Sequence, residues 1–166
     1  MDERRLIVGS LTPKWRAGVN TIAVNPTQPG LYAPQEFKTG GRQYVGAVFA
    51  DGTSFVLPSG SFPGTPSRQA HPGETIVLYG VGFGPVTPGA DAGELVQQLN
   101  PINVPLQVFF GQTPATVSYQ GLVPGTVGLY QFNVVVPNVA GSDAVPLTFT
   151  LGGASGTQGL YTAVQD

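Results

Sequence analysis

The chain has 166 residues, a length that suits one domain or slightly more. Its 24 glycines, 16 prolines and charged content of 10% are typical of a protein with many turns, and an apolar content of 41% is too high for a disordered chain. A net charge of −2 argues against a nucleic-acid-binding surface, which has to be basic. Because there is no cysteine, a disulfide framework and a thiolate metal site are excluded.

Residues 1–20 are predicted to form an N-terminal arm. Four of the seven basic residues lie in the first sixteen positions, together with the short β-prone run Leu6 to Val8 and with Trp15 in the stretch PKWRAG. The arm could add a strand to its own sheet, which we favour, exchange with another copy, or stay unpaired. No apolar run is long enough for a membrane span, and no h-region follows the first charges, so we expect any export signal to lie outside this sequence.

Residues 21–70 are predicted to form a β-hairpin extension that packs on the rest of the chain. In YVGAVFADGTSFVLP, two apolar runs flank Asp51 and Gly52, a dipeptide suited to a tight hairpin turn because both residues tolerate a positive φ. The following stretch, SGSFPGTPSRQAHPG, is too rich in Gly, Pro and Ser for regular structure and predicts a loop or linker.

Residues 71–166 are predicted to form a β-sandwich. Six apolar or alternating runs, each ended by Gly or Pro, recur at the spacing of sandwich strands: ETIVLYG, VPLQVFFG, PATVSYQG, GLYQFNVVVP, AVPLTFTLGG and GLYTAVQ. One segment, AGELVQQLN at 92–100, could form a helix of one or two turns, because Leu95 and Leu99 stand at i,i+4 and Asn100-Pro101 would end it. We therefore expect an all-β chain with at most one short helix.

The order of motifs HPGETIVLYGVGFGP, VFFGQTPATVSYQG and GLYQFNVVVPNVAGSDAVPLTFTLGG resembles the IPT/TIG group of immunoglobulin-like domains. With NPTQPGLYA and FADGT upstream, the stretch 21–164 is similar to the Solibacter-type C-terminal domain of large secreted Acidobacteria proteins. The resemblance implies an immunoglobulin-like β-sandwich of the E-set type. It also implies an extracellular or cell-surface module that acts as a spacer, an adhesive or an assembly element.

The glycine-rich stretch LYGVGFGPVTPG could be a phosphate-binding loop, since such loops begin with glycines after a strand. A dinucleotide fingerprint, however, runs into a helix, and Pro85 and Pro88 are poorly suited to that helix. A Walker loop needs a lysine, and none follows Lys38. We expect instead that the glycines allow a turn and that Phe83 points into the core.

Catalytic groups are sparse, and no enzymatic activity is predicted. His71 is the one histidine, and Ser59, Ser61 and Ser67 lack the context of a nucleophile elbow. The carboxylates are too scattered along the chain to indicate a glycosidase pair. No cofactor is expected.

Asp91 and Glu94 are the candidate calcium ligands, because the stretch GADAGE follows the glycine-rich turn and could combine carboxylates with backbone carbonyls. It lacks the dense acidic pattern of an established calcium loop, so a solvated loop or a helix N-cap at Asp91 is the alternative.

Aromatic residues offer a possible ligand or partner contact at Trp15, Tyr32 and Tyr44. Flat rings stack on sugars, and tyrosine hydroxyls form hydrogen bonds, so a carbohydrate-binding module is one alternative function. Most aromatics lie in strand runs and suit core packing. The leading expectation is a structural or adhesive module that contacts neighbouring domains or its own copies through strand edges, with glycans as possible partners. A subunit of a fibre formed by strand exchange of the arm is the other alternative.

Overall fold

The computed structural model describes residues 27–166, and β-strands are the only regular elements in that range. The strands, in chain order, are β1 (Gly30–Leu31), β2 (Lys38–Thr39), β3 (Arg42–Tyr44), β4 (Val48–Phe49), β5 (Phe55–Val56), β6 (Ser67–Arg68), β7 (Thr75–Val81), β8 (Asn100–Pro101), β9 (Leu106–Phe110), β10 (Thr113–Leu122), β11 (Tyr130–Val135), β12 (Ser142–Leu151), β13 (Ala154–Ser155) and β14 (Leu160–Val164). The all-β prediction is thus confirmed over 27–166, and each of the six runs in the second half forms a strand.

The helix considered at 92–100 does not form. Residues 92–94 make a turn, and Asn100 begins β8. Val96 explains the difference, because its N–H donates to Thr126 O and its carbonyl accepts from Gly125 N, so its backbone groups are taken by another segment. Val96 is buried, whereas Leu95 and Leu99 are 57% and 61% exposed. No helix in residues 27–166 is long and apolar enough to cross a membrane.

The strands join into one curled, mixed sheet. Its order is β2-β3-β14-β12-β9-β10-β11-β7-β4-β5-β6, while β1 pairs with β7, β13 with β12 and β8 with β10. The pairs β3/β14 and β5/β6 are parallel, and the other strand pairs are antiparallel. Of the short strands in 30–68, β1 and β4 pair with β7, and β3 pairs with β14. The other three are joined to these, β2 to β3, β5 to β4 and β6 to β5.

Strand β10 connects the two sides of the sheet. Its residues 113–115 pair with β9, and its residues 116–122 pair with β11, with a register shift between Val117 and Tyr119. An irregularity of this kind bends a strand and increases its twist. We call the strands around β7 and β11 the β7 side and the strands around β9 and β12 the β12 side.

Phe83 lies at the centre of the main core and contacts both sides of the sheet. Its side chain is fully buried, and its ring centroid lies 4.5 Å from that of Phe132 on β11 and 5.4 Å from that of Phe149 on β12. Tyr130 adds a third ring, at 5.7 Å. The inward-pointing Phe83 expected from the sequence is therefore confirmed.

The glycine-rich stretch turns the chain at the end of β7. Gly82 has φ +77°, and a Cβ on it would lie 2.1 Å from Gln28 O. Gln28 N donates to Gly82 O, so the incoming chain lies directly against this turn. The stretch positions Phe83, and no helix follows it in the described chain.

The predicted hairpin at Asp51 and Gly52 joins β4 to β5. Gly52 N donates to Phe49 O, and Gly52 has φ +69°. Asp51 keeps a negative φ; its carboxylate instead accepts from Thr53 N and Thr53 Oγ1, at 3.0 and 2.8 Å. The turn is thus held by an aspartate side chain and one left-handed glycine.

The Phe83→Ala substitution tests the central position of this ring. Removing a fully buried phenylalanine should lower the free energy of unfolding by about 3–5 kcal/mol. Val81→Ala is the control, since Val81 is 58% exposed and its truncation should cost about 0.5 kcal/mol or less. Urea denaturation measures both changes, and a loss below about 1 kcal/mol for Phe83→Ala would contradict this packing.

Gly82→Ala and Gly125→Ala separate backbone strain from steric clash. Gly125 has φ +79°, close to that of Gly82, but a Cβ there would meet no atom within 4 Å. Gly125→Ala should cost about 1–2 kcal/mol, and Gly82→Ala at least about 1 kcal/mol more because Gln28 must move. Equal losses in chemical denaturation would show that the approach of Gln28 does not constrain the turn.

Candidate functional site

The aromatic residues singled out in the sequence have different environments. Trp15 and the predicted arm lie outside the described residues. Tyr44 is 3% exposed and packs with Phe37 and Leu57 in a second cluster beside the main core. Burial raises the pKa of the Tyr44 phenol. Its ring is therefore covered by its neighbours and offers no surface on which a ligand could stack.

Tyr32, in contrast, is 56% exposed directly after β1. Its N–H donates to Tyr79 O, at 2.7 Å, and its carbonyl accepts from Gly46 N, at 2.8 Å. The ring lies against Gly46, where a Cβ would be 2.7 Å from Tyr32 Cδ1 and 3.1 Å from Pro34 Cδ. Because Gly46 has no side chain, the Tyr32 ring packs directly on its backbone, and much of the ring stays exposed to solvent.

Tyr79 lies next to Tyr32 on the outer face of the β7 side. In β7, Leu78 and Gly80 are buried and Tyr79 is partly exposed, as strand alternation requires. Tyr79 is directly opposite Gln131 on β11. Since residues opposite one another in an antiparallel pair share a face, Gln131 lies on the same outer face.

Tyr119 extends this surface onto β10. It is opposite Asn133, while Gly121 is opposite Gln131. The Tyr119 hydroxyl donates to Leu122 O at 2.7 Å, and a Cβ on Gly121 would lie 2.8 Å from it. The same Cβ would lie 2.5 Å from Asn100 O, so the phenol lies along β10 with its hydroxyl end between Gly121 and β8. Burial raises the pKa of the Tyr119 phenol.

Two side-chain amides lie between the tyrosines. Gln131 Nε2 donates to Asn133 Oδ1 at 2.8 Å, and both side chains are partly exposed. We call the surface formed by Tyr32, Tyr79, Tyr119, Gln131 and Asn133 the tyrosine face. It combines three phenol rings with two oriented amides and contains no charged side chain. Such a surface can stack against flat apolar groups and exchange hydrogen bonds with neutral polar ones.

The sequence identified one member of this face, Tyr32. Tyr79 and Tyr119 were interpreted as packing residues because they lie within strand runs, and Gln131 and Asn133 were not singled out. Alternation around Leu78 is a signal that points Tyr79 away from the core. The register that places Tyr79 beside Gln131 depends on strand pairing over more than fifty residues and has no local signal.

Asp91 and Glu94 lie together in the loop between β7 and β8. Both line a cleft of about 370 Å³ whose wall includes Val96 and Tyr130, and Glu94 N donates to Asp91 O at 3.3 Å. No group of three or more His, Asp or Glu residues suited to a metal ion occurs within 27–166. Calcium binding at Asp91 and Glu94 stays a prediction that rests on two carboxylates.

His71 is exposed and contacts the C-terminal end of the described chain. Its Nδ1 lies 3.2 Å from Asp166 O, and its Nε2 lies 3.0 Å from Gln165 Nε2. Among the hydrogen bonds of residues 27–166, none links this ring to Ser59, Ser61 or Ser67. The geometry therefore does not bring the serine and histidine candidates together.

Glu74, near His71, belongs to an ion pair. Its carboxylate accepts from both terminal nitrogens of Arg68, at 2.7 and 2.9 Å, and from His71 N at 2.8 Å. The Arg68 guanidinium also lies 3.6 Å from the centre of the Phe49 ring. The pKa of Glu74 is lowered to about 2, and the hydrogen bond from Arg68 is the largest cause of this shift. This group joins β4, β6 and the turn before β7.

The lowered pKa of Glu74 predicts an acid dependence of stability. The pair stabilises the fold above the pKa that Glu74 has in the unfolded chain, and this contribution is lost as the pH falls from about 5 to about 2. Since both side chains are partly exposed, Glu74→Gln should cost about 0.5–1 kcal/mol at pH 7. The variant should also lose less stability than the parent on acidification.

Thermal unfolding across pH measures this difference. Glu36→Gln is the matched control, because Glu36 is exposed and forms no ion pair within residues 27–166. Parallel pH profiles for the parent and Glu74→Gln would contradict the assignment of the pair.

Comparison with known proteins gives no match to a protein family, to a curated protein or to a solved structure. The resemblance of the chain to IPT/TIG domains therefore stays a prediction.

Proposed function

We propose that this chain is a non-catalytic adhesion module of an extracellular or cell-surface protein, and that its curled sheet is an immunoglobulin-like β-sandwich of the IPT/TIG type. The sandwich assignment is supported by Phe83, whose ring contacts both β11 and β12, as expected if two layers of strands face each other across the core. The extracellular location rests on the sequence resemblance alone.

The tyrosine face is the observation that supports adhesion. Four of its residues lie on β7, β10 and β11, three neighbouring strands of the sheet, and Tyr32 is hydrogen-bonded to β7. A contact surface on paired strands is more precise than one on loops, because backbone hydrogen bonds fix the relative positions of the side chains. This face therefore suits recognition of another surface without any movement of the fold.

The strands at the ends of the sheet path are less suited to assembly. β2 and β6 have two residues each, and they carry Lys38 and Arg68. Short edges with basic side chains disfavour the addition of a strand from another chain. Among the described residues, contact through a face is therefore favoured over contact through these two edges. Strand exchange by residues 1–20 is a separate hypothesis that concerns residues outside that range.

Adhesion of protein-coated beads tests this function. Beads carrying the parent chain should remain, under flow, on at least one of four surfaces: cellulose film, alginate gel, gelatin and bare glass. The Tyr32→Thr/Tyr79→Thr double variant should lose most of this retention, because two outward-facing rings are gone while β-branched threonine suits the strand position.

Leu95→Thr is the matched control, since Leu95 is 57% exposed, close to the 56% of Tyr32, and lies in the loop before β8. Circular dichroism establishes that each variant is folded, and light scattering over a range of concentrations shows whether retention arises from self-association. Retention no better than that of albumin-coated beads on all four surfaces would contradict adhesion. Equal retention of the parent and the double variant would contradict the role of the face.

A further inference from the structure

We infer that the tyrosine face binds a neutral polysaccharide chain, an inference that rests on the proposed adhesive function and names its ligand class. Other features of the described chain point less clearly to a ligand. The cleft beside Asp91 and Glu94 has two carboxylates, and nothing in the structure shows what covers the exposed Leu95, Leu99 and Val127 near it.

Charge favours a neutral ligand. None of the five residues of the tyrosine face is charged, and their neighbours in the same rows, such as Val77 opposite Asn133 and Gly121 opposite Gln131, are uncharged as well. An acidic polysaccharide or a charged peptide would lose part of its hydration on this surface without gaining an opposite charge. A neutral polyhydroxylated chain has no charged group to desolvate, and it can form hydrogen bonds with the amides and hydroxyls of the face.

The strand register places the rings and the amides in two adjacent rows. One row runs through Tyr119 and Asn133 to Val77, and the next runs through Gly121, Gln131 and Tyr79. Tyr32 continues the second row, because its N–H donates to Tyr79 O. Neighbouring strands are about 4.8 Å apart and alternate residues of one strand about 7 Å apart, so Tyr119 and Tyr79 lie about 12 Å apart on a diagonal, with the amides between them. An extended sugar chain lying along this diagonal would place its apolar C–H faces on the phenols and its hydroxyls at the amides.

The side chains are held before any ligand arrives. Tyr119 is fixed by its bond to Leu122 O, Gln131 by its bond to Asn133, and Tyr32 by its contact with Gly46. Fixed side chains lose little conformational entropy on binding, which favours measurable affinity for a polar but uncharged ligand that forms no ion pair.

Native affinity electrophoresis tests the inference. The full chain is run in gels that contain hydroxyethylcellulose, galactomannan or laminarin as neutral probes, or alginate as the acidic probe. We expect retardation by at least one neutral polysaccharide and none by alginate. Tyr79→Thr should weaken binding about tenfold, whereas Tyr79→Phe, which keeps the ring, should retain most of it.

Two further variants distinguish the effect of ring placement on binding from an effect of misfolding. Gly46→Ala removes no aromatic ring but displaces that of Tyr32, because the new Cβ would lie 2.7 Å from it. This variant should therefore reduce retardation. Leu95→Thr should bind like the parent. Each variant is compared with the parent by thermal unfolding, so that loss of binding is scored only for folded protein.

The outcomes distinguish this inference from the proposed function. If the parent is retarded by none of the neutral probes, or if Tyr32→Thr/Tyr79→Thr is retarded as strongly as the parent, polysaccharide binding by this face is overturned. If binding fails while face-dependent adhesion to gelatin persists, the partner is a protein and the adhesive function stands. If the coated beads adhere to nothing, both proposals fail.

Discussion

The packing of Phe83 between β11 and β12 is the interaction on which the rest of the structure depends. Most of the strands before β7 have only two residues and cannot be stable alone, so their order comes from pairing with strands that Phe83 and its neighbours hold together. Gly82 permits this packing, because the backbone turns there with φ +77° while Gln28 lies against it. A turn that has the glycines of a phosphate loop therefore serves to insert one aromatic ring into the core.

The tyrosine face follows from the same packing. Once Leu78, Phe132 and Val134 point toward Phe83 and the core, alternation directs Tyr79, Gln131 and Asn133 outward. The face is therefore as rigid as the strands that carry it, and no loop has to close to complete it. On our proposal, a protein with little charge recognises its partner through ring stacking and oriented amides rather than through ion pairs.

Much of the fold was predictable from local patterns, because turn residues and apolar alternation act over a few positions. The six strands of the second half, the hairpin at Asp51-Gly52 and the inward Phe83 are of this kind. The short helix that the sequence allowed at 92–100 does not form, because the backbone of Val96 bonds to Gly125 and Thr126, which the Leu95/Leu99 spacing cannot reveal. The tyrosine face was missed for the same reason.

Chemical-shift mapping tests most directly the claim that this face is the contact surface. Titration of the ¹⁵N-labelled chain with a soluble neutral oligosaccharide should shift the side-chain amide signals of Gln131 and Asn133 first, together with the backbone signals of Tyr79 and Tyr32. Signals of the loop that contains Asp91 and Leu95 should not move. Shifts confined to that loop, or no shifts at millimolar ligand, would contradict the account.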